Sequence, residues 1–191
     1  MILEDLTNIK RSKSNPFVIA IDGRAAAGKT TFAKNLALLL DTKVIYMDDF
    51  FLPKELRTPE RLAQPGGNIH YERFAHEVLL QLRSGLPFEY QIYDCFPEKY
   101  IGTSGIPPSQ WMIVEGAYSH HQYFGEYMDL RVFADIDQTT QMQRIEEREG
   151  KEKAIQFAEK WIPLEEMYFK TFKISEMARV TVNLPANQNK F

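Results

Sequence analysis

Gly23-Arg24-Ala25-Ala26-Ala27-Gly28-Lys29-Thr30 follows the pattern G-x-x-x-x-G-K-[ST], and each fixed position of that pattern has a chemical reason. Glycines accept positive φ and let backbone N–H groups close around an anion, while a helix opening at Lys29 adds the partial positive charge of its N-terminus. Lys29 would reach the β- and γ-phosphates of a nucleoside triphosphate, and the Thr30 hydroxyl would ligand Mg²⁺. The stretch from Gly23 to Thr31, including Arg24, Ala25, Ala26, Ala27 and Thr31, is therefore expected to hold a nucleotide.

Three further groups carry chemistry. Asp48 and Asp49 end an apolar run, and a carboxylate there could accept the proton of an attacking hydroxyl or position Mg²⁺; the catalytic role is assigned to Asp48, since Asp49 suits a turn cap more readily. Glu115 closes the run "MIV", where an acidic residue can hold a metal-bound water. A carboxylate stranded at the end of a buried strand is costly unless it is paired or near a metal. Arg144 and Arg148 stand four apart on one helical face, ready to meet a γ-phosphate, with Gly150 as a hinge. The competing reading of that charged run is a solvated face with i, i+4 ion pairs.

The elements that must position these groups alternate between strand and helix. "FVIAI" (17–21), "KVIYM" (43–47), "WMIVEGA" (111–117), "LRVFADI" (130–136) and "ARVTVNL" (178–184) read as strands, most of them apolar enough to be buried on both faces of a parallel sheet. A helix is expected over 29–40, where Phe32, Leu36, Leu39 and Leu40 keep a 3.6-residue spacing, and another begins at Tyr71 and is capped by Gly85. Leu3, Leu6 and Ile9 give a weak helical stripe. Residues 50–69 hold Pro53, Pro59, Pro65 and Gly66-Gly67 and read as a long functional loop without a regular element. "FEYQIYDC" alternates as a short strand outside the main sheet. From Gln138 to Phe172 the chain is charged and helical, interrupted by Gly150 and Pro163, and the tail "PANQNKF" reads as loose. This βα alternation predicts an α/β fold with a mostly parallel sheet.

Composition narrows the partners. At 191 residues the chain suits one domain, and a net charge of −3 gives no footprint for nucleic acid, which is bound through clustered Lys and Arg. The single cysteine, Cys95, allows no internal disulfide. "MILEDLTNIKRSKSN" lacks the basic region and apolar core of a signal peptide, and no 18-residue apolar run occurs, so a soluble, cytoplasmic protein without a membrane partner is expected. His120-His121 lacks a third ligand at a suitable spacing and is not read as a metal site. Cys95 reads as a small buried or pocket-lining residue, and Trp161, Met167, Tyr168 and Phe169 as packing, with Tyr168 reaching substrate.

From Phe17 to Phe172 the sequence resembles the uridine kinase and phosphoribulokinase family of P-loop kinases. The phosphate loop, "YMDDFFLP", "PGGNIHYERF", "YDC", "VEGAY" and the arginine-bearing segment before "KWIPLEEMYF" carry the resemblance. "DDFF" is also similar to nicotinamide riboside kinases, and "VEG" to bacterial pantothenate kinases. The resemblance implies a three-layer P-loop NTPase fold with a small helical lid, in one domain with an acceptor-binding insertion at about 50–105 and a lid at about 141–153. It implies ATP and Mg²⁺, a small-molecule hydroxyl acceptor, Asp48 as base, Arg144 and Arg148 as lid arginines, and often a homo-oligomer. On the acceptor side it implies Glu72, or His70, on ribose hydroxyls, and Tyr93 with Asp94 beside a base, Asp49 being a further contact. Pro97 and Glu98 stand where nucleoside kinases carry a histidine for the pyrimidine. Uridine or cytidine is the expected acceptor, with nicotinamide riboside, pantothenate and glycerate as alternatives. A nucleotide-dependent switch is the reading from another class, although no N-K-x-D element for guanine is present.

Overall fold

The structure is a computed structural model and describes residues 15–184. The stripe of Leu3, Leu6 and Ile9 and the tail 185–191 lie outside the described residues. Five parallel strands form the main sheet: β1 (Phe17–Gly23), β2 (Val44–Tyr46), β5 (Trp111–Glu115), β6 (Leu130–Asp135) and β7 (Val180–Asn183), in the order β2-β5-β1-β6-β7. β1 therefore lies between strands reached by connections on opposite sides, and the carboxyl end of such a switch point is where open α/β sheets bind ligands.

The register lines those ends up. Ile21 pairs with Glu115, Tyr46 also pairs with Glu115, and Gly23 pairs with Ala134. Alternation along β1 accounts for the layers: Val18 and Ala20 face one core cluster with Phe74, Phe133 and Tyr168, whereas Ile19 and Ile21 face another with Ala33, Leu36 and Ala37 of α1 (Lys29–Leu39). Both faces of the strand are closed to water, as its continuous apolar run requires. Each fully buried Ile or Val there contributes about 1.5–3 kcal/mol relative to exposure.

Residues 50–69 contain more order than their prolines suggest. A 3₁₀ turn at Lys54–Leu56 is followed by α2 (Pro59–Leu62), with Thr58 accepting the Arg61 amide as cap and Pro59 at the first turn. The stretch closes on itself through a bridge between Phe51 and Ile69 and a 2.8 Å bond from the Leu52 amide to the Asn68 carbonyl. α3 (Tyr71–Phe74) then runs into a π-helical turn at Ala75–Leu79.

β3 (Phe88–Asp94) lies outside the main sheet as expected, but it pairs with a strand the sequence pattern does not reveal, β4 (Lys99–Ile106). β4 is mostly exposed and carries Gly102 and Gly105, so apolar alternation could not mark it. Tyr90 of this hairpin packs on Phe50 at 5.1 Å, bringing the hairpin over the turn that bears Asp48. α4 (Gln138–Glu149) and α5 (Lys151–Gln156) meet at Gly150, followed by a π-helical turn at Phe157–Trp161, α6 (Ile162–Thr171) and α7 (Ile174–Met177). Pro163 does not interrupt this path: it stands in the first turn of α6, directly after the π-helical turn. Among the described residues no helix is long and apolar enough to cross a membrane.

Candidate active site

The loop after β1 is shaped by close approach. A Cβ on Gly23 would stand 2.1 Å from the Ala134 carbonyl oxygen, and its φ of 138° is one that side chains rarely adopt. One residue earlier, Asp22 is fully buried and accepts four donors: the amides of Gly23 (2.7 Å), Tyr118 (3.2 Å) and His120 (2.9 Å) and the Tyr168 hydroxyl (2.7 Å). This carboxylate ties the loop's base to the turn after β5 and to α6. Sequence reasoning passed over it because it stands one residue before the motif, where the pattern fixes nothing.

Gly28 caps α1 in the left-handed region without a side chain, so no side-chain acceptor competes for the first-turn N–H groups. Lys29 folds back to donate to the carbonyls of Gly23 (2.8 Å) and Arg24 (2.9 Å). From the other side Gln141 donates to the Ala25 carbonyl at 3.1 Å and Arg144 to the Ala26 carbonyl at 3.2 Å. Arg144 Nε is buried without a hydrogen-bond partner among the described residues, a donor suited to an anionic oxygen at the loop.

Three carboxylates converge on the loop. Glu115 is buried, and both its oxygens lie 3.3 Å from the Thr30 hydroxyl that donates to them. Burial pushes its carboxyl up to about 7, against the opposing pull of Lys29. Asp48 is exposed, and the surface it shows lines the cavity described below, with protein packed around the carboxyl. Burial raises its carboxyl too, while Lys29 and Arg148 act to keep it ionised, as a proton acceptor needs. Glu165, on α6, accepts the Ala25 amide at 3.0 Å. Among the described residues no group of three or more His, Cys, Asp or Glu could hold a metal by itself. Mg²⁺ does not ask for one, since it commonly takes one or two protein oxygens and fills the rest with phosphate and water. The all-oxygen set of Thr30, Glu115 and Asp48 fits that ion.

A cavity of about 1490 Å³ opens over this edge. Small-molecule pockets usually span roughly 300–1,000 Å³, so it has room for two ligands side by side. Ala25, Ala26, Gly28, Lys29, Thr30, Thr31, Asp48, Glu115, Arg144 and Arg148 all line it. Arg57, Asn68, Cys95, Tyr118, Trp161 and Glu165 line it as well, and of these only Cys95 was singled out from sequence as a pocket-lining candidate.

Other expected site residues lie elsewhere. Gly23 and Ala27 lie beneath the loop; Ala27 is wholly buried. The Arg24 side chain turns away from the cavity to Asp135 (2.7 Å) and Glu166, because those carboxylates flank the loop's outer side. Tyr168, expected to reach substrate, does not line the cavity: it is fully buried and its hydroxyl donates to Asp22. Tyr93 is closed off from the cavity, its ring edge-on to Tyr100 at 5.4 Å, and Asp94 shapes the hairpin turn by accepting the Phe96 amide at 2.8 Å. Glu72 is engaged by Arg61 through bonds of 2.7 and 2.9 Å; burial alone would raise its carboxyl, but these bonds pull it down to about 2. His70 caps α3, with Nδ1 3.4 Å from the Arg73 amide and 3.2 Å from Glu72. Asp49 accepts the Tyr90 hydroxyl at 3.0 Å and does not line the cavity. His120 and His121 contact the carbonyls of Ala20 and Pro65, each at 3.0 Å, as packed histidines do.

No model of a known protein family matches the chain. A solved structure described as a possible uridine kinase from Bacillus stearothermophilus superposes with a TM-score of 0.71 at 20% identity, covering 94% of both chains. The chain has the fold of the P-loop kinases. Its sequence is 29% identical to uridine-cytidine kinase B of Dictyostelium discoideum over 147 residues, 72% of this chain and 59% of that protein. It is 26% identical to the pantothenate kinase of Streptococcus suis over 150 residues, 67% of this chain and 47% of that one. The chain thus spans about half the length of the curated relatives it matches, and these relatives carry the names of kinases that its motifs resemble.

Proposed function

We propose that this chain is an ATP-dependent small-molecule kinase that transfers the γ-phosphoryl group to a hydroxyl. The observation that carries the reading is one shared cavity: Asp48 sits within it between the Gly23–Thr31 loop and the wall made by residues 51–68, with room for a nucleotide and an acceptor. In this reading the triphosphate rests on the loop backbone and the N-terminus of α1, and Lys29 leaves the Gly23 and Arg24 carbonyls to meet it. Asp48 aligns the acceptor hydroxyl and takes its proton as the oxygen attacks the γ-phosphorus and the bond to the β-phosphate oxygen breaks, leaving ADP. Arg144 and Arg148 neutralise charge on the transferred group, a role worth about 10³ to 10⁵ in rate in other phosphoryl transfers. Thr30, Glu115 and Asp48 would hold Mg²⁺, which when bound would supply electrostatic neutralisation of the phosphates. Closure of the segment around 141–153 excludes water and suppresses futile hydrolysis. One kinase domain and a cytoplasmic location belong to the same reading.

Uridine or cytidine as acceptor is supported by similarity to the Dictyostelium enzyme, and pantothenate by similarity to the streptococcal one. Nicotinamide riboside and glycerate stand beside them. A nucleotide-dependent switch would use the loop but leave Asp48 and the acceptor wall idle.

The test is mass spectrometry of products formed with Mg²⁺-ATP and a panel of these acceptors, comparing wild type with Asp48→Asn and Lys29→Ala. Asp48→Asn should lower transfer by about 10² to 10⁴ while retaining ATP binding. Full transfer by that variant would sink the choice of base, and ATP binding without product would favour the switch.

A further inference from the structure

Five cationic side chains line the cavity, and four of them, Lys29, Arg144, Arg148 and Lys160, come from the phosphate loop or the 138–161 segment. Arg57 alone comes from the opposite wall. It stands between the 3₁₀ turn at Lys54–Leu56 and the Thr58 cap of α2, where its backbone N–H bonds the Lys54 carbonyl at 3.1 Å. Its Nε donates to the Leu52 carbonyl at 2.7 Å, which fixes the plane of the guanidinium. Among the described residues its ion-pair partner is Glu98 of the hairpin turn, 3.4 Å from Nη1, itself 38% exposed and also 3.6 Å from Lys54. A rim contact of that kind is worth little and exchanges readily. A guanidinium presents five donors, so an aimed and partly engaged one keeps a fork open to a planar anion. Arg57, Cys95 and Asp48 all line this cavity, so the cation and the proposed base open onto the same space.

The groups expected to read a nucleoside do not line the cavity: Tyr93 is buried beside Tyr100, Asp94 shapes a turn, His70 caps a helix and Glu72 is paired with Arg61. A neutral acceptor would leave the Arg57 cation with only its weak rim contact to Glu98 as counter-charge once closure removes water. A single guanidinium also matches one singly charged, planar group better than a dianion.

Resting on the kinase reading, we infer that the acceptor is a hydroxy acid whose carboxylate is bound by Arg57 while its hydroxyl meets Asp48. The test compares acceptors that differ in one group, with Mg²⁺-ATP saturating: D-glycerate against glycerol, pantothenate against pantothenyl alcohol, ribose 5-phosphate against ribose, and uridine. Wild type is expected to phosphorylate the acid of at least one carboxylate pair with kcat/KM at least about ten-fold above its neutral partner. Arg57→Gln should raise the KM for that acid at least about ten-fold and abolish the preference while leaving the KM for ATP unchanged, a split that a merely structural role would not give, with the melting temperature lowered only by the lost bond to the Leu52 carbonyl. Arg57→Lys should restore part of the loss. Product from uridine or the neutral partners alone, or from ribose 5-phosphate alone, overturns the inference and leaves the kinase reading standing. Product from none of them, with ATP still bound, overturns both.

Discussion

Glu165 accepts the Ala25 amide from within a helix whose residues the sequence pattern assigns to packing, and burial pushes its carboxyl up to about 7 despite the pull of Lys29. The folded state therefore keeps a proton there that the unfolded chain has already released above the ordinary carboxylate value of 4.5. The folded state binds more protons across that window, so stability falls as pH rises from about 4.5 to about 7 and stays lowered above it. Glu165→Gln can still accept the amide but does not titrate. Its melting temperature, measured without nucleotide, should match wild type near pH 5 and exceed it near pH 8; parallel curves would refute the assignment, and Glu115 leaves some slope in both proteins. Lys29, Thr30, Asp48 and Glu115 could be picked out from sequence because each stands at a strand or loop end fixed by a local pattern. Asp22, Glu165 and Arg57 could not, since nothing local tells whether a side chain one step from a motif, or on a distant helix, turns to the cavity. The same gap explains Tyr93 and Glu72: a resemblance fixes their place in the chain, whereas Tyr100 and Arg61 decide where they point.

At the level of elements, β1 and its loop were legible because a doubly buried strand, a glycine turn and an amphipathic helix each leave their own period. β4 was not, since an exposed strand with two glycines leaves none. The fit of β1 against β6 is tight enough to test: Gly23→Ala would drive a methyl group into the Ala134 backbone, so either the strand pair or the loop must shift. A loss of roughly 2–5 kcal/mol is expected, from strain plus overpacking, read as a lower urea midpoint and weaker nucleotide binding together. Gly150 makes a different kind of demand, because φ 86° and ψ 166° lie where only glycine is at ease and a Cβ there would meet open space. Gly150→Ala should thus alter the angle between α4 and α5 and leave the core untouched. If that corner is the hinge of a lid, kcat and acceptor KM should change several-fold together, with a much smaller effect on the urea midpoint; unchanged kinetics would remove the hinge.

For the whole molecule, the phosphate loop is the point at which distant parts of the chain meet. Asp22 binds it to the turn after β5, Gln141 and Arg144 reach it from α4, and Glu165 reaches it from α6. A ligand that satisfies this loop is therefore expected to stabilise both faces of the sheet at once, and to appear as one cooperative shift in unfolding. A non-hydrolysable ATP analogue with Mg²⁺ at about 100 times its Kd should add about 2.7 kcal/mol. At about 2–4 °C per kcal/mol for a chain of this size, the melting temperature should rise by about 5–11 °C. Lys29 makes two hydrogen bonds to loop carbonyls, so Lys29→Ala should lose a little stability without ligand and lose most of the ligand-induced rise. The control is Arg57→Gln, on the far wall of the cavity, which should keep the full rise because the nucleotide does not depend on it. A rise that survives Lys29→Ala would mean that the nucleotide is not held by this loop. A rise lost equally in both variants would mean that the two walls do not serve separate ligands.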